Sequence, residues 1–205
     1  MDELNKEHLI DCYRMWYSLA DASNLHQGVG WTKREIQEQR FARASEMFKG
    51  EELTPHILDI GCGIGHYPLW LQRNGYLTTH YTGIDLVPEF VQRCREQGFK
   101  AFEKDAKSIN RDYDYSVAIG TFHYLIYDCT DPLPIIEQRL KRIYKHTRKE
   151  FFFTLLRTAL DEYHTFSPID VKDLLKNYNN IDIQEDGKEY FIKIQKGGHM
   201  SNKVV

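Results

Sequence analysis

Asp59, Gly61, Gly63 and Gly65 punctuate the segment Ile57-Leu58-Asp59-Ile60-Gly61-Cys62-Gly63-Ile64-Gly65. A carboxylate beside spaced glycines can hold a small cationic ligand. The acid attracts positive charge, and glycine lets the ligand approach the backbone where a Cβ would clash. Asp85 follows Gly65 by 20 residues, a spacing at which nucleotide-binding α/β folds set an acid against ribose hydroxyls. The glycines read G-x-G-x-G, whereas dinucleotide sites use G-x-G-x-x-G to seat a pyrophosphate on a helix N-terminus. A carboxylate at position 59 would repel that pyrophosphate. It suits a nucleoside-like ligand that carries an ammonium group and no phosphate. Downstream, His123 offers an imidazole that titrates near neutrality and is the best candidate for a general base.

Such residues need a parallel sheet to position them. Ile57–Ile60 is an apolar run too short for a helix and reads as a buried strand, and helical spacing resumes at Tyr67, Leu69, Trp70 and Leu71. A second strand, Tyr81–Asp85, ends in its acid. Pro88 then opens a helix whose apolar face is Phe90, Val91 and Cys94. Residues 99–106 read as a third strand closed by Asp105 and Ala106. Tyr115–Gly120 reads as a fourth, running into Thr121-Phe122-His123-Tyr124.

With these residues in place, positions 56–125 resemble the class I S-adenosylmethionine-dependent methyltransferases, in particular the small bacterial or phage type. S-adenosylmethionine has an ammonium group, a sulfonium cation and no phosphate. The resemblance implies a Rossmann-like α/β sheet of five parallel strands followed by a C-terminal antiparallel hairpin. It implies a cofactor site of Asp59, Gly61, Cys62, Gly63, Gly65, Asp85, Leu86, Asp105, Ala106 and Gly120, with S-adenosylhomocysteine as product. Asp105 would face the adenine amino group, and the chain at 121–124 would pass the transferable methyl. Gly28–Thr32 with Gln39-Arg40-Phe41 also looks like the entry segment of such enzymes, which sets Arg40 as a contact for the methionyl carboxylate; an exposed helix arginine is the ordinary alternative.

The rest of the chain fits that plan. Leu9, Ile10, Tyr13, Trp16 and Tyr17 share one face of a helix over 7–20. Thr32 and Glu35 have the spacing of a capping box for a second helix that carries Ile36, Arg40, Phe41 and Met47 toward Gly50. Residues 1–52 are thus expected to lie as lid helices over a cofactor-binding core of 53–196, one domain in all, with 197–205 as a disordered tail. Residues 132–146 read as a helix, Phe151–Leu156 as a strand buried on both faces, and Ser167-Pro168 as the start of another helix. Ile181–Gln184 and Tyr190–Ile194 flank Asp186-Gly187, a hairpin signal.

Composition narrows the function classes. With 205 residues, 41% hydrophobic and 28% charged, the chain has a sizeable core and is not disordered. A net charge of −3 gives no global basic field for nucleic acid or membrane. No apolar run is long enough to span a bilayer, and the N-terminus lacks a secretion-signal pattern. Cys12, Cys62, Cys94 and Cys129 form no C-x-x-C pair; no metal site is expected, and a reducing cytoplasm is the plain reading. Asp128 and Asp131 read as turn residues.

The expected activity is direct methyl transfer to O or N of a small molecule. Tyr13, Tyr17, Trp31, Tyr124, Arg157 and His164 are the candidate acceptor contacts; for the aromatic cluster, the buried face of a helix is the stronger reading on spacing. The basic run Arg139, Lys141, Arg142, Lys145, His146, Arg148 and Lys149 leaves open an RNA or DNA methyltransferase, though a solvated helix face is the ordinary meaning. A non-catalytic S-adenosylmethionine-binding module is the third reading.

Overall fold

The computed structural model describes residues 4–50, 54–158 and 162–197. Strands β1 (Ile57–Ile60), β2 (Tyr81–Asp85), β3 (Ala101–Glu103), β4 (Tyr113–Ala118), β5 (Thr147–Leu156), β6 (Ile181–Asp186) and β7 (Glu189–Gln195) form one sheet in the order β3-β2-β1-β4-β5-β7-β6. Strands β1 to β5 pair in parallel, and β7 runs antiparallel to both β5 and β6. The expected sheet of five parallel strands and a C-terminal hairpin is therefore the one found. Its turn is Gly187-Lys188, closed by the pair Asp186 and Glu189, and Gly187 takes the positive φ of 58° that the turn requires.

Because successive side chains leave a strand on opposite faces, the continuous apolar runs feed two layers. Leu58, Ile60, Phe151, Phe153 and Leu155 pack with α5 (Leu133–Lys145) and α6 (Pro168–Leu175). Ile57, Tyr81, Tyr115, Val117 and Phe152 pack on the other side with α2 (Arg34–Ser45), α3 (His66–Arg73) and α4 (Pro88–Glu96). Both layers are closed, so each of these side chains contributes about 1.5–3 kcal/mol of burial. Chain order reverses between β1 and β4, which opens a crevice beyond their carboxyl ends. The N-terminal α1 (Lys6–Leu19) and the short 3₁₀ turn Gln27–Val29 lie at that end.

Several boundaries differ from expectation. The capping box at Thr32 and Glu35 does not form; Lys33 is the N-cap of α2 without a side-chain bond, and Thr32 faces the crevice instead. Strand β3 stops at Glu103, and Asp105 lies beyond it, capping the 3₁₀ turn Ala106–Ser108 through Lys107 N–H at 2.9 Å. Strand β5 begins at Thr147, four residues earlier than its apolar stretch, because polar residues pair along its open start. Ser167 caps α6 as expected, in a capping box with Asp170. Asp128 and Asp131 both make the expected turns, Asp131 accepting from Leu133 N–H at 3.0 Å and Asp128 from Leu125 N–H at 3.2 Å; the buried Asp128 carboxylate also holds His8 of α1 at 2.8 Å. The tail expected to be disordered lies, apart from Gly197, outside the described residues, as does the boundary at 52 and 53.

Candidate active site

The glycine loop leaves β1 and enters α3 against the end of β2. Gly61 and Cys62 both donate backbone N–H to Ile84 O, at 2.8 and 3.1 Å. Gly61 has φ +72°, and a Cβ there would stand 2.5 Å from Thr121 Oγ1, so only glycine allows the loop after β4 to close on it. Asp85 ties the loop down: its Oδ2 accepts from Gly63 N–H at 2.8 Å and its Oδ1 from Val87 N–H at 2.9 Å. Burial raises the Asp85 carboxyl above the ordinary range, with these backbone donors opposing it.

Beside the loop, Asp59 is 3% exposed. Its Oδ2 accepts from Tyr81 O–H at 2.6 Å, and no described group donates to Oδ1. Burial pushes this carboxyl up to about 7, against the lowering effect of the Tyr81 hydrogen bond. Asp59 and Asp85 line one end of a cavity of about 430 Å³.

The other end carries a second set of polar groups. Glu189, at the start of β7, is 2% exposed and accepts from Arg40 Nε of α2. The Arg40 guanidinium lies 4.8 Å from the centre of the Trp31 ring and also donates to Ile36 O at 2.8 Å. His123 Nε2 stands 3.6 Å from the other Glu189 oxygen and 3.5 Å from Thr154 Oγ1. Burial holds the His123 imidazole down to about 4, so it is unprotonated at neutral pH. A carboxylate on the Nε2 side favours the hydrogen there, which leaves the Nδ1 lone pair as the basic one.

A third polar set closes the floor. Asp105 Oδ2 accepts from Arg139 Nη2 at 2.6 Å, with Lys6 Nζ 3.5 Å away. Arg139 is 6% exposed. Carboxylates set to meet an ammonium and ribose hydroxyls fit a ligand of the S-adenosylmethionine type.

Residues 57–149 match the family described as a methyltransferase domain. Over that stretch, under half of the chain, the sequence is similar to methyltransferase domains. Among solved structures, magnesium protoporphyrin IX methyltransferase from Synechocystis PCC 6803, with bound S-adenosylmethionine, superimposes with a TM-score of 0.68 at 14% identity, over 94% of this chain and 97% of that one. The 1,6-didemethyltoxoflavin-N1-methyltransferase of Burkholderia thailandensis, with bound 1,6-didemethyltoxoflavin and S-adenosylhomocysteine, gives 0.62 at 16% identity, over 96% and 92%. At these identities the likeness is one of fold. The S-adenosyl-L-methionine-dependent Diels-Alderase iccD of Talaromyces variabilis is 30% identical over 95 residues, which are 43% of this chain and 31% of that protein. The match thus spans under a third of that relative's length.

The cavity brings together most of the residues singled out from the sequence. Asp59, Gly61, Cys62, Gly63, Asp85 and Leu86 line it from the first two strands, and Asp105, Ala106, Gly120, His123 and Tyr124 from the next two. Tyr13 and Arg40 reach it from the N-terminal helices, and Trp31 from the connection before α2. Arg40 lines the cavity and is part-buried rather than an exposed helix arginine, with its Nε engaged by Glu189.

Four of the singled-out residues lie elsewhere. Gly65 turns toward α4, where a Cβ would meet Cys94 Sγ at 3.1 Å. Tyr17 packs edge-on against Phe90, 5.5 Å between ring centres. Arg157 pairs with Glu185 at 3.1 Å, and His164 Nε2 donates to Cys129 O at 2.7 Å. The Asp105 carboxylate, expected to face an adenine, is already held by Arg139.

Two members of the site were not singled out as such. Arg139 sits at the spacing of Ile135, Ile136, Leu140 and Ile143, so its place on the buried stripe of α5 was readable as helical periodicity. Glu189 gave no signal, because a glutamate beside a hairpin turn is ordinary. The basic run does not form a single face. Arg139 is buried, Lys141 pairs with Glu137, His146 with Asp112 and Arg148 with Asp114. Among the described residues there is no His, Cys, Asp and Glu cluster able to hold a metal ion, and no helix is long and apolar enough to cross a membrane.

Proposed function

We propose that the protein transfers a methyl group from S-adenosylmethionine directly to an oxygen or nitrogen of a small-molecule acceptor. One observation carries the reading: a single cavity is lined both by the carboxylates of Asp59 and Asp85 and by the buried imidazole of His123, which is unprotonated at neutral pH. In this reading Asp59 Oδ1 takes the ammonium group of the cofactor. Asp85 accepts from the ribose hydroxyls while it keeps the glycine loop in place, and Leu86, Ala106 and Ile119 enclose the base. When bound, S-adenosylmethionine supplies an electrophilic methyl group. The acceptor lies between Trp31, Tyr124 and His123, and His123 Nδ1 takes the proton that the acceptor loses, so a neutral methylated product and S-adenosylhomocysteine leave. Holding acceptor and donor in line supplies about 7–11 kcal/mol of such a barrier.

Residues 1–52 act as a lid over the core of 53–196, with α1, Val29 and Trp31 excluding water. Four free cysteines support a reducing, cytoplasmic setting. The small-molecule reading is preferred to nucleic acid because the basic run is divided between a buried pair and surface ion pairs.

The test is formation of S-adenosylhomocysteine with fractionated metabolite pools and with mixed oligonucleotides, for wild type and His123→Ala. Turnover with a low-molecular-mass fraction, reduced by about 10²–10⁴-fold in the variant, supports the proposal. Turnover with oligonucleotides alone supports the nucleic-acid reading. Cofactor binding with no product from any pool supports a binding module.

A further inference from the structure

His123, Glu189 and Arg40 come from three separate elements and meet around one buried point. Glu189 sits at the start of β7, opposite Leu156 of β5. An isolated buried carboxylate is costly and is retained where a charge compensates it. Two groups in reach could do so: Arg40, whose Nε donates to one oxygen, and His123, whose Nε2 faces the other at 3.6 Å. If His123 alone stood beside Glu189, a proton on the imidazole would supply the missing charge. Arg40 removes that need.

We propose that Arg40 and Glu189 form a charge-balanced pair that positions His123, with Arg40 offsetting the Glu189 charge that would otherwise draw a proton onto the imidazole, so that its free nitrogen is ready to take the acceptor's proton. This rests on the methyl-transfer reading above and adds two positioning residues to it.

The surroundings of His123 are consistent. From β7 comes Glu189, from α2 Arg40, from β5 the hydroxyl of Thr154, and from the end of β4 the backbone of Gly120, which accepts from His123 N–H at 3.4 Å. Of the charged groups around the cavity, Glu189 and Arg40 are those that act on the imidazole, in opposite senses, and burial dominates both. Trp31 completes the arrangement: its ring carries the Arg40 guanidinium on one side and fills the space over Gly120 on the other, where a Cβ would meet Cζ2 at 2.8 Å. Arg40 is thereby fixed by stacking, by Ile36 O and by Glu189, which leaves it little freedom to act on a ligand. The carboxylate in turn selects the imidazole tautomer with hydrogen on Nε2.

The experiment is a ¹⁵N-histidine NMR titration of cofactor-free protein between pH 5 and 8, which requires neither acceptor nor turnover. The set is wild type, Arg40→Gln, Arg40→Lys, Glu189→Gln and the Arg40→Gln/Glu189→Gln double variant. Wild-type His123 stays neutral with hydrogen on Nε2 across that range. In Arg40→Gln the titration midpoint moves upward by about 1–3 on the pH scale; Arg40→Lys, which keeps the charge, restores it. The double variant returns it as well, since the carboxylate is gone. Glu189→Gln leaves His123 neutral but mixes the two tautomers.

A midpoint unmoved in Arg40→Gln overturns the proposal, because Glu189 has then taken the proton itself. If Arg40→Gln does not fold, Glu189→Gln decides, and an unchanged Nε2–H tautomer there overturns it. In turnover, an upward move of about 2 lowers kcat/KM at pH 5.5 about fourfold relative to its own value at pH 8. A midpoint that moves without the acid limb of turnover leaves the pair's control of His123 standing and overturns the base role assigned above.

Discussion

Asp59 makes cofactor binding proton-linked, and the size of the linkage follows from its burial. The carboxyl is held up to about 7 in the free protein. A ligand ammonium placed against Oδ1 favours the charged form and draws the value down again. At pH 6.5 about three-quarters of the free molecules carry the Asp59 proton, so binding S-adenosylhomocysteine releases about 0.75 proton. Over pH 6 to 7.5 the same linkage strengthens binding about eightfold, or about 1.2 kcal/mol. At still higher pH the ligand's own ammonium group loses its proton and affinity falls.

The assay is calorimetric titration at pH 6.5 in buffers of different ionisation enthalpy, which reads the protons released. Asp59→Asn removes the release and flattens the pH dependence. So does 5′-methylthioadenosine as the ligand, because it lacks the amino-acid portion. Equal release by wild type and Asp59→Asn, or by the ligand without an ammonium group, refutes the reasoning and moves the ammonium away from Asp59.

Asp85→Asn keeps the shape but leaves one of the Gly63 and Val87 N–H donors facing an amide NH₂. Stability falls by about 1–3 kcal/mol, and S-adenosylhomocysteine affinity falls about 10–100-fold by calorimetry; unchanged affinity counts against the ribose contact. Gly120→Ala meets Trp31 at 2.8 Å with φ +74°, and denaturant unfolding will show a loss of at least about 1–2 kcal/mol. Gly63→Ala, whose nearest neighbour is Val29 at 3.6 Å, costs only the backbone term of about 1 kcal/mol yet weakens cofactor binding, because the methyl group enters the cavity. His66 and His123 are both held down to about 4 by burial. Their neutral forms belong to the folded state, so stability is full above the ordinary histidine value near 6.5 and is lost as pH falls toward 4, by up to about 3 kcal/mol each. Asp59 acts in the opposite sense: its raised carboxyl favours the fold below about 4 and that contribution is lost as pH rises through 7. Thermal melts of wild type, His66→Gln and His123→Gln between pH 4.5 and 7.5 separate these terms, and a melt insensitive to His66→Gln at pH 4.5 rejects the histidine account.

The sequence alone was enough for the sheet and for the glycine loop and acids that line the cavity from β1 and β2. Both depend on local chemistry that survives without neighbours. An apolar run must become a strand, glycines must form the tight loop, and the acids Asp59 and Asp85, at or next to the last residue of β1 and β2, lie at the carboxyl edge because chain direction puts them there. Ser167 with Asp170 and the turn at Gly187 were readable for the same reason, since a cap or a two-residue turn involves only nearby residues.

What the tertiary structure decided was the pairing of charges across distant elements. Asp105 and Arg139 are 34 residues apart, and Arg40 and Glu189 are 149 apart. Nothing in the composition around Glu189 distinguishes it from a surface glutamate; burial behind β5 and α2 makes it a site residue. The same holds for protonation. Asp59 and His123 have ordinary side chains in the sequence, and only desolvation by the assembled layers lifts one to about 7 and holds the other at about 4. Sequence fixes which groups can titrate, while packing fixes where they do, because the free energy of a charge depends on what surrounds it.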